Sequence, residues 1–326
     1  FTRTGTIFIF QWKRLLAGWW RASSASRPRM TYLQSRSVSC VWPAHRLLGE
    51  GAWWSATEQA VYWVDIKRPA ILRYVPETTE KAIWNCPEPI GSCAPRSQGG
   101  LVLAMKSGIY TCSLSEPGTP VVRRFLVAPA ELGPGDRFND GKCHPDGTFW
   151  AGTMDDDEKA TRGWFYRFDG GKLPQVVTGP YLVCNGPAFS ADGRIAYFAD
   201  SARRLIFRAD VSVANFGIER LVDFGASDGL PDGMTTDIQG RLWVAMWDGG
   251  KVLCLSTRGE RLMEIKVPAI RPTSCAFGGK YLRTLYITSA SIGLPAGAAE
   301  NSCDGSLFAV EIEGAQGWPT AAFRGL

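Results

Sequence analysis

Leu48-Gly-Glu-Gly-Ala-Trp-Trp-Ser-Ala-Thr-Glu-Gln-Ala-Val-Tyr-Trp-Val64 is one unit of a pattern that recurs along the chain. An oxygen-bearing side chain stands beside a glycine (Glu50-Gly51), a turn follows seven residues later (Thr57-Glu58), and an aromatic strand comes next (Tyr62-Trp63). The same order returns at Asn139-Asp140-Gly141 with Asp146-Gly147 and Phe149-Trp150, and at Asn185-Gly186 with Asp192-Gly193 and Tyr197-Phe198. It returns again at Asp232-Gly233 with Gln239-Gly240 and Trp243, while Gly91 and Thr273 keep the phase with small residues. The starts at 50, 91, 139, 185, 232 and 273 are 41, 48, 46, 47 and 41 residues apart. That period is the size of a four-stranded propeller blade, and six blades complete a ring. The expected fold is therefore an all-β, six-bladed β-propeller with four-stranded blades. A closed ring leaves no sheet edge if one terminus completes the blade begun by the other. The strand before Glu50, read as Trp42 to Leu48, is expected to join the last blade beside Ser306 to Ile312, with a further strand at Ala321 to Arg324.

Composition agrees with a large closed β domain: 326 residues, 45% hydrophobic, with short β-branched and aromatic runs between glycine-rich turns. The formal charge of +5 is unevenly placed. Residues 1–49 hold eight Lys or Arg and no Asp or Glu, whereas the remaining 28 basic residues face 31 acidic ones. A mildly acidic body without a basic stripe excludes nucleic acid as the expected partner. No apolar run approaches the roughly 20 residues of a membrane span, and no obligate protein partner is expected. The nine cysteines (40, 86, 93, 112, 143, 184, 254, 275 and 303) form no C-x-x-C pair and read as reduced thiols, so the expected location is cytoplasmic. Residues 1–37 read as an N-terminal extension and residues 38–326 as the propeller. Within the extension, residues 1–29 fit a disordered or non-native segment, an Arg/Ser-rich targeting peptide or an amphipathic surface helix, with Met30 as an alternative start.

Equivalent positions in a ring of repeats lie at equivalent radii, so the polar side chains of the repeat phase should meet on one axis. Glu50 between glycines, Asp232 in Pro-Asp-Gly and Asn185 in Asn-Gly-Pro would each pass alone as a turn residue. Their shared phase is what turns do not require. Two carboxylates and an amide are hard oxygen donors that suit one divalent cation: Ca²⁺, Mg²⁺ or Mn²⁺, or Zn²⁺ or Fe²⁺ with water in the remaining positions. The donors do not fix which. Arg137 and Asn139, in Gly135-Asp-Arg-Phe-Asn-Asp-Gly-Lys142, stand at the same end of the ring and could clamp a polyhydroxylated or anionic substrate; Arg137 could equally pair with Asp136 or Asp140 on a surface loop. That segment is one residue too long for a phosphate-binding loop and lacks the following Ser or Thr. One member of the acidic run Asp155 to Glu158 could reach the cavity mouth. With no Gly-x-Ser-x-Gly elbow and only His45 and His144, a serine triad is not expected, and Cys184 lacks a histidine partner.

The motifs Leu48-Gly-Glu-Gly, Arg137-Phe-Asn-Asp-Gly, Trp150-Ala-Gly-Thr-Met154, Asn185-Gly-Pro, Leu230-Pro-Asp-Gly-Met, Leu242-Trp-Val-Ala-Met-Trp247 and Cys275-Ala-Phe-Gly-Gly279 follow in order over about residues 40–312. In this the chain resembles the SMP-30/gluconolactonase/LRE (regucalcin-like) family, and within it the bacterial sugar lactonases. The resemblance implies that Glu50, Asn185 and Asp232 bind one divalent metal, that Asp232 is also the general base, and that Arg137, Asn139 and Asp157 contact substrate. Two departures stand out: Ala52 where the family commonly has Pro, and His144 where it commonly has a carboxylate. The implied activity is metal-dependent hydrolysis of a sugar lactone of gluconolactone or xylonolactone type to the aldonic acid. A broader esterase or phosphotriesterase-like metal hydrolase, and a non-catalytic calcium-binding or peptide-docking propeller, are the alternatives.

Overall fold

The structure is a computed structural model that describes residues 33–171, 173–295 and 303–325. Residues 1–32, which carry most of the expected extension and Met30, lie outside the described residues.

Two short N-terminal strands, β1 (Gln34–Ser35) and β2 (Ser39–Trp42), precede five complete blades. Blade I holds β3 (Gly49–Ser55), β4 (Ala60–Asp65), β5 (Ala70–Val75) and β6 (Glu80–Asn85); blade II holds β7 (Ile90–Pro95), β8 (Leu101–Met105), β9 (Gly108–Cys112) and β10 (Arg123–Val127). Blade III holds β11 (Asp136–Cys143), β12 (Phe149–Asp155), β13 (Gly163–Phe168) and β14 (Gln175–Tyr181). Blade IV holds β15 (Cys184–Phe189), β16 (Ile195–Asp200), β17 (Leu205–Asp210) and β18 (Glu219–Asp223). Blade V holds β19 (Leu230–Thr236), β20 (Leu242–Trp247), β21 (Lys251–Leu255) and β22 (Arg261–Lys266). The last blade has only β23 (Arg271–Gly278), β24 (Thr284–Ala290) and β25 (Leu307–Glu313) from the C-terminal side, and β1 and β2 add to β25.

The ring thus closes through the strand that precedes Glu50, as expected, but that strand is Ser39–Trp42 and not Trp42 to Leu48. Pro43 has no N–H to give a ladder, and residues 46–48 meet the last blade by isolated contacts, Leu48 bridging Ala290. Arg46 N donates to the Gly305 carbonyl (2.7 Å), and Leu47 N and Leu48 N donate to the Asp65 carboxylate (3.1 and 3.2 Å). Among the described residues pairing begins at Gln34, opposite Glu313, inside the segment read as extension.

Aromatic residues of the second strands hold blade to blade. Trp42 of the closing strand meets Trp63 edge-on at 5.0 Å, Trp54 stacks on Tyr286 at 5.6 Å, Trp150 meets Phe189 at 5.3 Å and Trp243 meets Phe277 at 5.5 Å. Each such pair adds about 1 kcal/mol beyond the area it buries.

Ala321 to Arg324 does not form a blade strand; Phe323 makes a single bridge to Arg96. The segment from Ala315 onward is a strap across the end of the ring away from Glu50. Gly317 N binds the Leu282 carbonyl (2.7 Å), Trp318 Nε1 binds Thr236 Oγ1 (2.8 Å) and Thr320 Oγ1 binds the Trp54 carbonyl (2.8 Å). Phe323 N then binds the Pro95 carbonyl and Arg324 N the Gly147 carbonyl, both at 2.8 Å. The strap therefore touches blades VI, V, I, II and III in turn. With Lys142 and Thr235 it lines a partly open cavity of about 40 Å³, so the strap lies across the axis at that end.

Candidate active site

Every innermost strand is irregular at the same level. The register shifts between Glu50 and Trp53, Ile90 and Ser92, Phe138 and Gly141, Asn185 and Ala188, Pro231 and Met234, and Pro272 and Ser274. A bulge breaks the in-and-out alternation and re-aims one side chain, here toward the axis. Gly51, at φ +62°, sits in the bulge of blade I. Blade II has no room for a donor at this phase: a Cβ on Gly91 would lie 2.2 Å from the Asn139 carbonyl oxygen. Blade VI contributes Thr273, whose hydroxyl donates to the Gly49 carbonyl and so fixes the residue before Glu50.

Glu50, Asn139, Asn185 and Asp232, from blades I, III, IV and V, line one cavity of about 120 Å³ together with Arg137, Glu158 and Ser201; all but Glu158 are nearly or fully buried. A hydrogen-bonded chain fixes the amides. Arg137 Nη1 donates to Asn139 Oδ1 (2.6 Å), and Asn139 Nδ2 donates to Asn185 Oδ1 (2.9 Å). Asn185 Nδ2 donates to Ser201 Oγ (2.9 Å), and Ser201 Oγ donates to the carbonyl of Pro231 (2.6 Å), the residue before Asp232. Three blades are thereby locked in one amide orientation, with the Asn185 oxygen turned toward the Arg137 side.

The acids are held differently. Burial pushes the Glu50 and Asp232 carboxyls well above their ordinary range, and repulsion from neighbouring carboxylates adds to it: Asp232 and Asp140 for Glu50, Asp140 for Asp232. The two carboxyls are close enough to share a hydrogen bond. Asp140 is pushed up to about 6 by burial, opposed by Lys142 and by the N–H groups of Gly141 (2.8 Å) and Gly186 (3.1 Å). Carboxyls kept together away from water are neutralised either by protons or by a bound cation. Among the described residues, no group of three or more His, Cys, Asp or Glu side chains could hold a metal ion. The donor set is two carboxylates and the Asn185 amide oxygen, which fits a hard divalent ion whose other positions are filled by water or substrate oxygen.

Arg137 is not on a surface loop paired to Asp136 or Asp140. It is 3% exposed, and its Nε donates to Asp156 Oδ1 (2.6 Å), which also accepts from Lys67 Nζ (2.7 Å). Nη2 of Arg137 has no hydrogen bond among the described residues and remains for a ligand in the cavity. Asp136 binds Arg162 (2.6 Å) instead. Asp157 is not brought to the cavity: its side chain is 74% exposed and pairs with Lys159 (3.2 Å). The strand ends at Asp155, and the turn after it swings Asp156 toward Arg137, Asp157 outward, and Glu158, at φ +58°, onto the cavity rim. Cys184 is fully buried, its thiol pushed far up by burial, and no histidine reaches it; His144 binds the Gly193 carbonyl (2.8 Å). Ser201 carried no signal in the sequence, and Asp156 only that of the acidic run Asp155 to Glu158, because each acts through a neighbour.

The profile of the SMP-30/Gluconolactonase/LRE-like region matches residues 48–291. A 6-deoxy-6-sulfogluconolactonase of Pseudomonas putida is 38% identical over 258 residues, covering 78% of this chain and 87% of that protein. A regucalcin of Danio rerio is 33% identical over 302 residues, covering 90% of this chain and all of that one. Among solved structures, a luciferin-regenerating enzyme superposes with a TM-score of 0.82 at 26% identity, over 89% of this chain and 100% of that one. No helix among the described residues is long and apolar enough to cross a membrane.

Proposed function

The chain belongs to the SMP-30/gluconolactonase/LRE-like family, and from that premise we propose that it hydrolyses a sugar lactone to the aldonic acid with the help of one divalent cation. The observation that carries the reading is the meeting of Glu50, Asn185 and Asp232 in one cavity beside Arg137. Glu50, Asn185 and Asp232 would hold the cation, which when bound supplies electrophilic polarisation of the lactone carbonyl and a more acidic water.

The rest of the work falls to the protein. A lactone is an ester already strained by its ring, so catalysis needs orientation, proton removal and stabilisation of negative charge on oxygen. Asp232 takes the proton of the attacking water at its carboxylate oxygen, since the carboxyl faces the cavity while Gly233 N binds its other edge (2.9 Å). Arg137 offers Nη2 to a ring hydroxyl or to the developing oxyanion, and its clamp on Asp156 and Asn139 keeps the guanidinium from following the substrate. Glu158 on the rim takes the place expected for Asp157 in accepting sugar hydroxyls.

Acid release from gluconolactone and xylonolactone, with and without chelator and with each divalent ion restored, tests the reading. Asp232→Asn and Glu50→Gln are expected to lose at least about 100-fold in kcat/KM, as removal of a base or an electrostatic stabiliser does, while the far-ultraviolet spectrum is unchanged. Undiminished turnover of every lactone by both variants would falsify it; cleavage of aryl esters alone would assign a broader esterase.

A further inference from the structure

Most of the nine thiols are inert by position. Cys93, Cys112, Cys143, Cys184, Cys254 and Cys275 are buried, and burial drives those of Cys93, Cys254 and Cys275 up to about 12. Cys40, Cys86 and Cys303 are half-buried. Cys40 lies on β2, the strand that the N-terminal side lends to the last blade, opposite Phe308 of β25. Cys303 comes just before β25, and the chain reverses at Asp304 and Gly305, with Gly305 at φ +73° and its carbonyl held by Arg46 N. Cys303 packs on the same apolar cluster as Cys40. The two side chains interact with each other, although 263 residues apart in sequence.

We infer that Cys40 and Cys303 are a dithiol pair that oxidises to a disulfide across the seam where the ring closes. The oxidant is a low-molecular-weight disulfide. One protein thiolate attacks it and releases one small thiol, and the second protein thiol attacks the resulting mixed disulfide and releases the other. One S–S bond breaks, one forms, and the two small thiols carry away the two electrons and two protons. Cys86, the third half-buried thiol, has Cys93 and Cys112 as its nearest thiols, both buried, and offers no exposed partner. The bond would tie the strand contributed by one end of the chain to the loop that leads into its neighbour, so that the seam opens only by reduction or by unfolding the whole ring. The proposal does not depend on the reading of the axial site.

The test incubates the full chain with oxidised glutathione, alkylates the remaining thiols and maps peptides without reduction. The expected result is one cross-linked peptide pair joining Cys40 to Cys303, faster migration on a non-reducing gel, and a melting temperature higher by roughly 5 °C, since the loop closed is very long. Cys40→Ser and Cys303→Ser should each abolish all three changes, and Cys86→Ser should leave them intact. Full alkylation of both cysteines after oxidation would overturn the proposal. So would a stable glutathione adduct on either without a cross-link, or a cross-link to Cys86.

Discussion

At the scale of single residues, the axial site depends on side chains that position the candidate ligands. Ser201 is the plainest case, because its hydroxyl joins the Asn185 amide to the backbone carbonyl in front of Asp232. Ser201→Ala removes one of the two hydrogen bonds that fix the Asn185 amide and should weaken divalent-ion affinity by about 10-fold or more, the usual cost of losing an outer hydrogen bond to a ligand; titration calorimetry with the metal alone measures it. A fall of that kind with an unchanged melting point separates a positioning role from a merely structural one. Asp146 belongs to the same scale. Although burial opposes it, hydrogen bonds from His144 and Thr148 hold its carboxyl well below the ordinary range. A depressed acid stabilises the fold above its unfolded value near 3.8, and that stability is lost as pH falls through the folded pKa. Asp146→Asn should therefore cost about 0.5–1 kcal/mol at pH 7, discounted for partial exposure, and flatten the decline of melting temperature below pH 4. An equal decline in both proteins would refute the assignment. His144, where the family commonly has a carboxylate, accepts from the Asp146 N–H at Nδ1 (3.1 Å), lies 2.9 Å from the Asp146 carboxylate and packs on Trp150, outside the axial cavity.

At the scale of the element, the blade supplies its own means of aiming a donor. Asp65 ends the second strand of blade I, is fully buried, and accepts hydrogen bonds from the N–H groups of Leu47, Leu48, Lys67 and Arg68 at 3.0–3.2 Å. Asp200 repeats the device in blade IV, accepting from Leu182 (3.2 Å) and Val183 (3.3 Å). Both therefore anchor the backbone two or three residues ahead of a candidate ligand, Glu50 or Asn185. Asp65→Ala strands several buried N–H groups and should lower stability by about 3 kcal/mol or more, with a parallel loss of metal affinity; denaturant melts with and without the ion report both. Loss of stability with affinity intact would show that β3 needs no such anchor. The second strands, the turns and the polar phase were legible in the sequence because each is local and repeats every 41 to 48 residues. The chain through Ser201 and the Arg137–Asp156–Lys67 clamp were not, since they join residues whose separation carries no period. Asp157 illustrates the limit from the other side: in a tight turn one residue decides which of three successive acids faces inward, and composition does not encode that direction.

At the scale of the whole molecule, the ring is closed twice, once by β2 on β25 and once by the strap that runs beneath five blades. Phe323 is the strap's buried anchor, packed on Phe149 at 6.5 Å and wholly shielded from water. Phe323→Ala should cost about 3–5 kcal/mol, seen as a lower melting temperature, while metal affinity at the opposite end stays unchanged. A variant that melts as the parent does would show that the strap merely rests on the ring. The placing of this strap has a kinetic meaning. Among the described residues the strap covers the end of the ring away from Glu158. If the proposed hydrolysis holds, reactant and product would share the rim at Glu158, and product release would compete with fresh binding.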